Sequence, residues 1–194
     1  MKHMLLKAMA AAALAAAGVG ASAQTYNAVT DSTTITSQSF NVLTFNGYDE
    51  LTTTGPLNVG AEIGQNITFT SVPNTRVGAT NQDLGDNGLW GARDLGPTPT
   101  GDGNSLASAF ITRRGEFGFS FENPVSAVGA YFNQFQALGS ATNRLELIAY
   151  DFDGNVLQSY QFSINTGADS YNEGSFLGIQ SSVANIYGFG VSDG

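Results

Sequence analysis

From Gln24 to Gly194 the chain carries no histidine, cysteine or lysine; its one histidine is His3 and its lysines are Lys2 and Lys7. That inventory excludes Ser-His-Asp catalysis, thiol nucleophiles, Schiff-base lysines and imidazole zinc sites from the span. It also lacks a glycine-rich phosphate loop with its lysine and any dinucleotide fingerprint. Carboxylates remain as the groups able to do chemistry. Glu116, Glu122, Glu146, Asp151 and Asp153 fall in or beside strand-like segments. Two carboxylates suffice for glycoside hydrolysis, but the Glu-x-Asp-x-x-Glu strand motif of sandwich glucanases does not occur. The balance predicts a non-catalytic protein, with a carboxylate-dependent glycoside hydrolase as the alternative.

The run Asp151-Phe152-Asp153-Gly154-Asn155 sets oxygen-bearing side chains at alternate positions around a glycine. Asp151, Asp153 and Asn155 are therefore candidate calcium ligands, although the closing acid of an EF-hand loop would fall on Phe162. The plainer reading is a hairpin turn, since aspartate followed by glycine suits a tight turn with positive φ. Trp90, the only tryptophan, sits in a long stretch rich in acids, amides and glycine between Val77 and Ser105. Connections that long are usually functional or disordered. Trp90 is accordingly a candidate aromatic platform for a ligand; as a plain loop residue it would cap one end of the fold. Asp83, Asp86 and Asp102 add oxygen donors to the same stretch.

The elements needed to hold these groups read as strands. Glu116 to Glu122 places Phe117, Phe119 and Phe121 on one face and small residues on the other, the two-residue period of a half-buried strand. Tyr160, Phe162 and Ile164 repeat it, as do Tyr187, Phe189 and Val191. Less regular candidates are 40–45, 66–72, 109–113, 128–133, 145–150 and 176–179. The span 145–164 reads as a hairpin turning at Asp153-Gly154, and Pro124 marks a strand end because proline cannot donate to a ladder. About nine short strands with frequent turn residues predict an all-β, antiparallel two-sheet sandwich, jelly-roll-like.

Met1 to Ala23 has the form of a cleaved signal peptide: Lys2 and Lys7, an apolar stretch from Ala8 to Val19, then Ala21-Ser22-Ala23. The expected mature chain is one sandwich domain over 24–194, exported and free of an integral membrane segment. The whole chain carries a net charge of −9, and loss of both lysines makes the mature form more acidic still. Such a surface disfavours nucleic acid as a partner. With 13 Phe and 7 Tyr, a chain this long can build its core without disulfides.

Two segments together resemble a known family. Phe117-Gly118-Phe119-Ser120-Phe121-Glu122-Asn123-Pro124-Val125-Ser126-Ala127-Val128-Gly129 resembles a run common in exported bacterial proteins of the PEP-CTERM class. Residues 148–157 and 176–179 resemble their following hairpin and strand, with a weaker echo in 87–91. The resemblance covers roughly Gly115 to Val191. It implies a protein displayed at or released from a Gram-negative surface, associated with extracellular polysaccharide, and it brings no catalytic residues. Such proteins usually end in a Pro-Glu-Pro motif, an apolar helix and a basic tip. Here the sequence stops at Gly194, as expected of a truncated chain or a soluble relative. A further strand lost at that point would leave a ladder edge beside Tyr187 to Val191. Pairing through such an edge would make the chain a self-associating surface subunit.

Overall fold

The computed structural model describes residues 24–36, 39–43, 45, 47–48, 51–72, 74–78, 107–108, 116–132, 144–164 and 175–193. Among these the strands are β1 (Tyr26–Val29), β2 (Leu51–Thr53), β3 (Leu57–Asn58), β4 (Ile67–Val72), β5 (Thr75–Val77) and β6 (Ala107–Ser108). They continue with β7 (Glu116–Val125), β8 (Ala127–Phe132), β9 (Arg144–Tyr150), β10 (Val156–Ser163), β11 (Ser175–Ser181) and β12 (Ile186–Asp193). Among the described residues helix is confined to single turns at Thr33–Thr36 and Ala61–Ile63. The signal segment, the Val77–Ser105 loop with Trp90, and the 109–113 strand candidate lie wholly or mostly outside the described residues.

The largest sheet has six strands in the order β10-β9-β12-β7-β4-β3, and a three-stranded sheet runs β1-β11-β8. Every pairing is antiparallel. Leu145, Leu147, Ala149, Phe189 and Val191 from the large sheet form one buried cluster with Leu177 and Ile179 from the small one. The two sheets thus stack face to face as the antiparallel sandwich that the alternation predicts, an arrangement consistent with a jelly-roll-like fold. A third sheet, β2-β5-β6, flanks a second cluster of Val59, Ile67, Phe69 and Val77. Phe117, Phe119 and Phe121 pack against both clusters. The one-face phenylalanine pattern of β7 therefore joins the two cores.

Four local expectations are corrected. The strand β7 continues through Pro124 to Val125, yet its ladder pairing skips from Phe121 to Val125. Proline sits where the chain leaves the regular ladder and no N–H is required. After Ser126 the chain enters β8 in the opposite sheet. Second, Tyr187 does not share the core face of Phe189 and Val191. A register shift between Ile186 and Gly188 puts Ile186 in the core at 0 % exposure, while the Tyr187 ring meets Phe152 edge-on at 5.3 Å. Third, β12 is no edge: it pairs with β7 on one side and β9 on the other. The segment from Phe40 to Phe45, expected as a strand, has no strand among its described residues; Phe40 and Val42 are exposed. Leu43 and Phe45 instead pack onto the second cluster.

Candidate functional site

Register alone lays out the solvent-facing side of the large sheet. One cross-strand row reads Gln161, Glu146, Ser192, Glu116 and Val72. The next is Ser159, Ile148, Gly190, Gly118 and Thr70, followed by Val156, Tyr150, Gly188, Ser120, Thr68 and Asn58. The alternation that turns Phe117 and Phe119 toward the core clusters sends Glu116, Gly118 and Ser120 outward. The result is a polar face with a floor of glycine at its middle.

Tyr150 and Glu116 use that floor. A Cβ on Gly190 would fall on Glu116 Oε1 and within 3.0 Å of Tyr150 Cε2; one on Gly188 would lie 3.1 Å from Tyr150 Cβ. Only glycine lets the tyrosine ring and the carboxylate settle this close to the sheet. The Tyr150 hydroxyl donates to Glu116 Oε1 at 2.9 Å. Burial, then this hydrogen bond and the negative charges of Glu116 and Glu146, push the Tyr150 phenol above its ordinary range. It therefore stays protonated, a hydrogen-bond donor and a poor nucleophile.

Beside this pair a shallow groove of about 460 Å³ is lined by Thr54, Thr70, Ser71, Val72, Glu116 and Gly118. Thr54 is held there because its carbonyl accepts from the Ser71 N–H at 2.9 Å. Glu116 and Glu146 lie two strand spacings apart across Ser192, about 10 Å between Cα atoms. Glu122 also faces outward but is six residues along β7 from Glu116, about 20 Å in an extended strand. Glu116 and Glu122 cannot flank one scissile bond; Glu116 and Glu146 come nearer to doing so.

The Asp151–Asn155 segment closes the β9–β10 hairpin. Asp151 Oδ1 accepts from the backbone N–H groups of Asp153 at 2.9 Å and Asn155 at 2.8 Å, and Oδ2 accepts from the Asn155 amide at 3.0 Å. Gly154 takes φ 81°, as the aspartate-glycine signal predicts, within a five-residue connection rather than a two-residue one. Asp151 and Asn155 are brought together, while Asp153 joins through its backbone. These hydrogen bonds hold the Asp151 carboxyl below its usual range, the Asn155 amide contributing most. Both carboxylate oxygens of Asp151 thus accept from N–H groups of the turn itself. Among the described residues no three acidic or imidazole side chains gather as a metal-ligand set.

Trp90, Asp83, Asp86 and Asp102 lie outside the described residues. Sequence reasoning singled out Glu116 and Glu146 but missed Tyr150 as a group acting with them. The signal available was the Tyr187-Gly188-Phe189-Gly190 alternation, whose paired glycines imply a close approach from a neighbouring strand. Among the described residues no helix is long and apolar enough to cross a membrane. Compared with known proteins, the chain matches no family model, no curated protein and no solved structure.

Proposed function

We propose that this chain is an exported, non-catalytic β-sandwich of a Gram-negative cell surface or extracellular matrix that makes weak contact with polysaccharide through the outer face of its six-stranded sheet. The observation that carries the reading is the Tyr150–Glu116 pair seated on glycine beside a hydroxyl-lined groove. A polar aromatic, a carboxylate and the threonines Thr54 and Thr70 offer donors and acceptors matched to sugar hydroxyls. The negative charge of Glu116 and Glu146 favours neutral chains over uronates or phosphorylated polymers. A groove this open excludes little water, which suits binding better than acyl or glycosyl chemistry.

Affinity electrophoresis through a neutral β-glucan gel tests the reading. Tyr150→Phe keeps the ring and removes the hydroxyl; Glu116→Gln removes the charge. Each should weaken retention by roughly fivefold, the scale of one hydrogen bond, with the melting temperature nearly unchanged. Retention identical to the unsubstituted chain in both variants would discard this face as the binding site. A second reading, a carboxylate glycosidase, rests on the shared row of Glu116 and Glu146. Turnover of chromogenic glycosides that disappears in Glu116→Gln and Glu146→Gln would replace the binding reading with it.

A further inference from the structure

The strand β10 ends the six-stranded sheet, paired to β9 along one side and to no strand on the other among the described residues. It is the longest edge strand described, and Val156 to Ile164 contains no charged residue and no proline. Proteins usually blunt an edge with charge, proline or a bulge. Here the one bulge lies between Val156 and Gln158, which leaves Ser159 to Ser163 regular. In a chain of net charge −9, an uncharged edge is where two identical copies meet with least repulsion. The inner side is already anchored, since Tyr160, Phe162 and Ile164 pack onto the core and the Tyr160 hydroxyl donates to the Tyr26 carbonyl at 2.9 Å. The strand is thus presented straight and fixed, and its pairing would cost little further ordering.

We infer that β10 pairs antiparallel with β10 of a second copy, joining two six-stranded sheets into one continuous sheet across a two-fold axis. Self-pairing is favoured over a foreign strand by the outward side chains. Ser159, Gln161 and Ser163 each both donate and accept, so identical rows complement one another. Opposed residues must share a face, so the axis passes beside a residue rather than between two. With the axis beside Tyr160, Ser159 stands opposite the partner subunit's Gln161. A two-fold axis normal to the sheet keeps both outer faces on the same side, and the interface closes as a dimer rather than growing. This inference does not depend on the polysaccharide reading, although two coplanar faces would raise avidity for a long polymer.

Sedimentation equilibrium of the full chain over a wide concentration range tests it. The expected result is a reversible monomer–dimer equilibrium. Ser159→Lys with Gln161→Lys gathers like charges across the axis and should weaken dimerisation by roughly tenfold or more. Circular dichroism of that variant must retain the strand signal of the parent chain. If the lysine pair fails to fold, Gln161→Glu alone, which sets a carboxylate near the axis in each copy, should likewise weaken dimerisation, and an unchanged equilibrium there would count equally against the proposal. Asn27→Lys, on the β1 edge of the other sheet, should leave the equilibrium unchanged. A monomer at every concentration, open-ended association, or a lysine variant that folds and dimerises like its parent would each overturn the proposal.

Discussion

The Tyr150 hydroxyl and the Asp151 carboxylate are neighbours in sequence, yet their surroundings push their proton affinities in opposite directions. Tyr150 is raised by burial and by adjacent acids, so it donates across the neutral range. Asp151 is lowered by the N–H groups it accepts from. A carboxyl whose folded pKa is depressed stabilises the fold above its unfolded pKa and loses that contribution as pH falls through the folded value. The protection of the Asp153 and Asn155 amides, taken relative to their intrinsic exchange rates, should therefore be greatest at neutral pH and fall below the ordinary carboxylate range. Asp151→Asn should abolish that acid-dependent step. A protection factor indifferent to acid in the parent chain would contradict the bonding of this turn. The hairpin itself was legible in the sequence because aspartate and glycine specify local backbone geometry. The Tyr150–Glu116 bond was not, since its partners are 34 residues apart and meet only once β12 lies between their strands.

Among the elements, β12 departs furthest from its pattern. Its alternation predicts Tyr187, Phe189 and Val191 on one face, but a register shift against β7 puts Ile186 rather than Tyr187 in the core. Ile186→Ala should cost about 2–5 kcal/mol, the range for a buried aliphatic truncation. Tyr187→Ala should cost about 1 kcal/mol or less, because the ring leans on Phe152, itself 77 % exposed. Chemical denaturation of the two variants settles which residue faces the core; reversed magnitudes would mean that the ladder keeps one register throughout. By contrast, β4, β7, β9, β10 and β11 lie close to where alternation predicts them. The short strands β1, β2, β3, β5 and β6 carry too few alternating residues to announce themselves, and they form because longer neighbours offer a ladder.

At the scale of the molecule, β7 is the shared wall of two clusters. The Phe119 ring lies 5.6 Å from Phe69, 6.2 Å from Phe45 and 6.4 Å from Phe117. Phe119→Ala should lower stability by about 3–5 kcal/mol and weaken both cores together. Amide protection in β4 and β9 should fall in step. Protection lost in β4 alone would divide the molecule into independently unfolding halves. The same sheet order places β12 at the centre and leaves β10 at the rim, so any partner strand is sought at β10 rather than beside Tyr187 to Val191.

Composition and period by themselves determined the all-β class, the chemistry missing from residues 24–194 and the faces of most long strands. Those properties depend on residue type and on the two-residue repeat, both of which are local. Strand order, the register shift between β12 and β7, the seat of Tyr150 on Gly190 and the identity of the edge strand β10 were decided only by tertiary structure. Each depends on which distant segments become neighbours, and an alternating pattern specifies a face without specifying a partner.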